Sequence, residues 1–221
     1  MKTLNQLDRR DFIKSAAIFT TGTFGVNTAP AMPIDALAVA DERANVIGPR
    51  EGFAPQIGTL LSMMTWMRTT ILYPVAKMTT EELDYIHDEK SNSIGSMLLH
   101  LAATERFYQV HTFDGKKWGD WSEQDKKRFD IAMKLGDDAR KSIKGNNLDY
   151  YLNTLKEVRE NTINEFKKRD DKWLLAVDDA WFWGPTNNYC KWFHVCEHES
   201  NHNGQIKWIK GRLPGAKSGN D

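Results

Sequence analysis

Apolar residues recur at intervals of three and four along several long stretches of this chain, and that spacing commits it to helices. Phe53, Ile57, Leu60, Leu61, Met64, Met67, Ile71 and Leu72 trace the first helix. It is expected to end after Tyr73, because Pro74 cannot donate to the helical ladder. Thr79-Thr80-Glu81-Glu82 has the form of a capping pattern that opens a short turn, Leu83 to Ile86. Ser93 is suited to cap a second helix running to about His111. Ser122 is suited to cap a third, which carries Phe129, Ile131, Ala132, Met133 and Leu135 and stops at Gly136. Helical spacing resumes from Leu148 to about Lys168 on Tyr151, Leu152, Leu155, Val158, Ile163 and Phe166. Residues 173–185, with the cluster Trp181-Phe182-Trp183-Gly184-Pro185, read as an ordered loop with a little extended structure. The last helix starts near Thr186 or Asn187 and ends around Gly211. Strand-type alternation is essentially absent, so the expected architecture is all-α, an antiparallel helical bundle.

The chain has 221 residues, 40% of them hydrophobic, which is enough to bury one full-sized core. Lys and Arg number 30 and Asp and Glu 30, and the zero net charge leaves no electrostatic footprint for nucleic acid or an anionic membrane. The two cysteines, Cys190 and Cys196, form no CxxC or zinc-finger pattern. Six positions apart on one helix they cannot bridge, and both read as packed thiols.

The first forty residues are set apart from the fold. Asp8-Arg9-Arg10-Asp11-Phe12-Ile13-Lys14 precedes a short, mildly apolar run from Ser15 to Val26 and the small-residue triplets Ala29-Pro30-Ala31 and Ala38-Val39-Ala40. This resembles a twin-arginine export signal. The run is too short, and too interrupted by threonine and glycine, to span a bilayer core that needs about 20 apolar residues. The expected organisation is therefore residues 1–40 as signal and processing region and 41–221 as one helical domain. The mature chain, cleaved after Ala31, Ala38 or Ala40, is expected to be periplasmic, with no permanent membrane anchor.

Three histidines carry the chemistry. His198 and His202 are one helical turn apart, so both project from one face, about 6 Å apart along the axis. His194, His198, His202 and Gln205 form one row of the last helix, and Tyr189, Trp192, Phe193 and Cys196 form a roughly opposite apolar stripe. Sequence alone does not say which face is wet. A solvated polar face is the plain alternative to a metal site. His100 sits in a helix apolar on nearly all sides. A buried imidazole there needs a partner, which is an ion held by other helices, a backbone carbonyl or Glu105.

The segment Asn92-Ser93-Ile94-Gly95-Ser96-Met97-Leu98-Leu99-His100-Leu101-Ala102-Ala103-Thr104-Glu105-Arg106-Phe107-Tyr108 resembles the second helix of the DinB-like (DinB/YfiT) metalloenzyme superfamily. Trp192-Phe193-His194-Val195-Cys196-Glu197-His198-Glu199-Ser200-Asn201-His202-Asn203-Gly204-Gln205-Ile206 resembles its fourth bundle helix, with Gly211-Arg212-Leu213-Pro214-Gly215 downstream. The resemblance covers roughly Phe53 to Pro214. It implies a DinB-like four-helix bundle with a metal site between helices, held by His100, His198 and His202, while His194 is a neighbouring pocket residue. It also implies one divalent transition metal ion, which three imidazoles with open positions would suit as zinc, nickel, iron or copper. The usual family pattern has a basic residue after the last ligand and a further histidine before it, where this chain has Asn203 and Asn201.

Members of that superfamily include metal-dependent transferases and isomerases that use low-molecular-weight thiols. The resemblance therefore implies a metal-dependent transferase acting on a small molecule. An exported protein meets fewer cytosolic thiols, so a hydrolase using activated water stands beside it. The alternative is a non-catalytic metal- or ligand-binding bundle. Glu105 and Glu199 read as solvated or supporting carboxylates, not as an assigned base. Expected partners are the small-molecule substrate and, in transit, the twin-arginine export machinery, with a homodimer left open.

Overall fold

The computed structural model describes residues 45–216, all within one compact unit, Leu37–Asp221. The export signal and its cleavage sites lie outside the described residues. The elements are α1 (Pro55–Val75), α2 (Thr80–Asp84), α3 (Ile94–Thr112), α4 (Glu123–Lys134), α5 (Gly136–Ser142), α6 (Leu148–Phe166), α7 (Asp171–Leu175), β1 (Val177–Asp178), β2 (Thr186–Asn187) and α8 (Asn188–Lys210). The architecture is all-α, with one antiparallel two-stranded pairing of Val177 with Asn187 and Asp178 with Thr186. No helix among the described residues is long and apolar enough to cross a membrane.

Local chemistry accounts for the boundaries. Ser93, Ser122, Asn147 and Asn187 each accept a hydrogen bond from the third backbone N–H beyond them, and Thr79 and Glu82 form a reciprocal capping box. Pro74 departs from expectation by lying inside the last turn of α1. The helix continues one residue past it, and the Pro74 carbonyl accepts from Lys210. At the end of α4 the break comes one residue early, because Leu135 takes a positive φ of 54° and Gly136 follows at 74°. The short helix α5 begins there.

Cross-helix contacts give the directions. Glu199 meets Arg68, Asn203 meets Thr70 and Lys210 meets Pro74, so α1 and α8 run the same way. Gly95 lies against Tyr151, Glu105 meets Arg159 and Gln109 meets Thr162, so α3 and α6 also run together. His100 meets His198 while His111 meets Lys191, so α3 opposes α8. The bundle is thus two parallel pairs laid antiparallel, not the simple antiparallel arrangement expected. The segment 113–147, carrying α4 and α5, lets the chain return and start α6 in the direction of α3.

Each of the four long helices contributes one charge to a buried tetrad. Glu105 and Glu199 are 0% and 1% exposed, and Arg68 and Arg159 are 7% and 8%. Arg159 donates from Nε to Glu105 Oε1 at 2.7 Å and from Nη2 to Glu199 Oε1 at 3.0 Å. Arg68 donates from Nη2 to Glu105 Oε2 at 2.8 Å and from Nε to Glu199 Oε1 at 2.9 Å. The remaining guanidinium N–H groups reach the carbonyls of Leu155 and Met64, and Thr162 Oγ1 donates to Glu105. In α1, α6 and α8 the charged residue falls between members of two separate apolar clusters, one around Ile71, Leu98 and Leu155 and the other around Leu60, Phe166 and Trp192. Glu105 and Glu199 are therefore buried in ion pairs and not solvated.

Candidate metal centre

His100 on α3 and His198 and His202 on α8 meet between the antiparallel helices, with one nitrogen from each within 4.8 Å of the others. Their ring centroids are 4.6–5.0 Å apart. His100 and His202 are 7% and 6% exposed, and His198 is half-buried. His198 and His202 of α8 therefore face α3, while Gln205 at the end of the row is exposed. The opposite stripe is covered in part, with Trp192 and Cys196 in the core and Phe193 48% exposed.

Hydrogen bonds fix the tautomers. His100 Nδ1 lies 2.9 Å from the carbonyl oxygen of Ala132, one of the last carbonyls of α4 without a helical donor. A carbonyl only accepts, so His100 Nδ1 carries the proton and Nε2 holds a lone pair. Of the sequence alternatives, the carbonyl partner is present and Glu105 is engaged elsewhere. His202 Nδ1 lies 3.2 Å from Gln205 Oε1, and Gln205 Nε2 donates to Asn201 Oδ1 at 2.9 Å. That second bond orients the amide, so His202 Nδ1 is also the donor and its Nε2 is free. Asn201, which departs from the usual family pattern, thus acts through Gln205 on the ring of His202. Asn203 instead bonds Thr70.

The donor set fits a metal ion. The Nε2 atoms of His100 and His198 are 2.8 Å apart. Two imidazole nitrogens on one ion at about 2.0–2.1 Å are separated by about 3.0–3.4 Å, which the observed spacing approaches. Burial, then repulsion from His202, His100 and His194, pushes His198 down to about 3. Burial and His100 take His202 to about 4, against the bond to Gln205. Burial also lowers His100, against its bonds to the carbonyls of Ala132 and Met133. All three rings are held neutral, the form that binds metal.

His194 lies outside this trio. Its ring is 5.4 Å from that of His198, and its Nδ1 is 2.9 Å from the hydroxyl of the buried Tyr108. Trp183 closes on His194 at 5.1 Å between centroids. A cavity of about 480 Å³ adjoins the other side, with Met97 one turn from His100, and with Asn201, Gln205, Lys90, Asn92 and Trp208 around it. Gln205, which bonds His202, is the link between this cavity and the histidines, and its walls mix polar side chains with Met97, Trp208 and Ile209.

Some site-building residues escaped sequence reasoning. Arg68 and Arg159 stand on otherwise apolar faces, and that anomaly was the available signal for the tetrad. Tyr108 carried no sequence signal. Of the thiols, Cys196 packs as expected, with burial raising it to about 11, but Cys190 is exposed. It lies in the first turn of α8, on the outer face that it shares with the exposed Phe193 and Glu197.

The aromatic loop divides by residue. Trp181 is 4% exposed, whereas Trp183 is 47% exposed and touches His194. Trp181→Ala is expected to cost about 3–5 kcal/mol of stability. Trp183→Ala should cost no more than about 1 kcal/mol and leave metal content unchanged. Urea unfolding and elemental analysis of the two variants check this, and a large stability loss for Trp183→Ala would return it to the core.

Among curated proteins, none matches this chain. A family model described as mycothiol-S-transferase matches residues 59–215, from the first turns of α1 to just beyond α8, and so spans all three histidines. The match extends over well more than half of the 221 residues, and the chain belongs to the mycothiol-S-transferase family of DinB-like proteins.

Proposed function

We propose that this protein is an exported, metal-dependent transferase that joins a low-molecular-weight thiol to an electrophilic small molecule, with His100, His198 and His202 as the metal ligands. The observation that carries the reading is three neutral, mutually oriented imidazole nitrogens on opposed helices of a mycothiol-S-transferase family member. A divalent ion there supplies a Lewis acid that lowers the pKa of a thiol or a water. The chain's own residues do the rest. Ala132 and Gln205 hold two Nδ1 protons, so that Nε2 of each ring faces the centre. Trp183 and His194 wall one side. The cavity at Asn201 and Gln205, with Met97, Trp208 and Ile209 in its walls, would take the body of the thiol. In the net reaction the sulfur forms the new S–C bond, the electrophile's leaving group departs with the bonding pair, and the thiol proton leaves with it.

Native protein and His198→Ala, compared for metal content and for conjugation of N-acetylcysteine to 1-chloro-2,4-dinitrobenzene, test this. Metal and thiol-dependent conjugation should both be present in the first and absent from the second. Export favours a second reading, hydrolysis by activated water, since fewer thiols are met outside the cytoplasm. Thiol-independent cleavage of a nitrophenyl ester by the metal-loaded protein would select it. Metal binding with neither activity would select a non-catalytic bundle.

Export rests on Arg9-Arg10 and the small-residue triplets. Replacing both arginines with lysine should hold the protein in the cytoplasmic fraction. Unchanged fractionation would argue against the twin-arginine route. Mass spectrometry of the mature N-terminus distinguishes cleavage after Ala31, Ala38 or Ala40.

A further inference from the structure

We infer that a second site, apart from the histidine cluster, binds a planar aromatic anion in the cavity between the end of α3, the loop after it and the aromatic loop before α8. The cavity is about 640 Å³, of the size that holds a small organic ligand, and is lined by Trp118, Trp181, Phe182, His111, Lys116 and Lys117 among others.

Its walls are rings. Trp118 stands edge-on to Trp181 at 4.7 Å between centroids and lies 5.6 Å from Phe182. His111 lies 4.9 Å from Trp181 and 5.7 Å from Trp118. Trp118 and Phe182 are 36% and 60% exposed, so this aromatic surface is open to an incoming flat molecule instead of being spent on the core.

Its charge is settled by a buried lysine. Lys191, 2% exposed, donates to Asp178 Oδ2 at 2.7 Å, lies 3.1 Å from His111 Nε2, and holds its ammonium 4.3 Å from the centroid of Trp181. His111 Nδ1 lies 2.9 Å from the carbonyl of Lys116, so it is the donor there and its Nε2 accepts from Lys191. Asp178 is thereby neutralised within the wall, and the exposed ammonium groups of Lys116 and Lys117 leave the mouth positive.

The third observation is an orphan. The indole N–H of Trp181 is buried and has no acceptor among the described residues. Buried donors are rarely left unpaired, and here the donor belongs to a residue that lines a cavity. Flat apolar walls and a cationic rim together describe a ring bearing an oxyanion, such as an aromatic carboxylate.

The probe is 2-naphthoate, with uncharged 2-naphthalenemethanol as its control, followed by calorimetry on the metal-loaded protein. Naphthoate should bind saturably. Lys116→Gln/Lys117→Gln should weaken naphthoate by about fivefold or more and leave the alcohol within about twofold. Phe182→Ala, at an exposed position, should weaken both by about fivefold or more. His198→Ala should leave naphthoate affinity within about twofold, which separates this site from the metal centre and from the transferase reading. Absence of saturation up to about 10 mM, an affinity insensitive to the lysine pair, or loss of binding in His198→Ala would overturn the inference.

Discussion

Replacing His202 with alanine is expected to weaken divalent-ion binding by more than about 100-fold and to abolish thiol-dependent turnover. That bound is the upper end of what losing only a hydrogen-bonding partner of a ligand costs, and here a donor itself is removed. His202 offers Nε2 because Gln205 and Asn201 hold its Nδ1 proton in place. Gln205→Ala keeps the donor but frees the ring, so its affinity should fall by about 10–100-fold. Competition against a chromogenic chelator measures both variants, with thermal unfolding of the metal-free proteins as the folding control. An affinity for His202→Ala within about threefold of the parent would exclude the three-histidine centre.

Arg159→Met should destabilise the protein by about 3–5 kcal/mol, because it leaves Glu105 and Glu199 buried against Arg68 alone. Denaturant unfolding near neutral pH checks the magnitude, and a loss below about 1 kcal/mol would show the tetrad to be dispensable. The acid side gives a second readout. Burial by itself would raise the Glu105 carboxyl, but Arg159 and Arg68 outweigh it and hold the group below its ordinary 4.5. A carboxyl lowered in the folded state contributes stability that is present above the unfolded value and lost as pH falls through the folded one. The parent should therefore lose stability as pH drops below about 4.5, and Glu105→Gln should flatten that part of the curve.

Much of the bundle is local chemistry. Ser93, Ser122 and the Thr79–Glu82 box set helix starts from residues within one turn of themselves, which is why the sequence already marks them. Leu135 was not legible in the same way, since its positive φ is held by the turn into α5 and not by any preference of leucine. The parallel pairing of α1 with α8 and of α3 with α6 has no local signature either. It follows from where the long segment 113–147 returns the chain.

The candidate site divides along the same line. By itself the sequence determined that His198 and His202 share a face, because 3.6 residues per turn puts positions four apart one above the other. It also brought His100 forward, through the resemblance of its helix. Only the tertiary structure decided that this face meets α3 instead of water, that Ala132 and Gln205 fix the tautomers, and that Arg68 and Arg159 neutralise Glu105 and Glu199. Ala132, Arg68 and Arg159 are remote along the chain and lie on other helices, so no period in the sequence specifies them, whereas Gln205 is a near neighbour of His202 on α8 whose amide is oriented by Asn201. The antiparallel crossing of α3 and α8 brings the three nitrogens together.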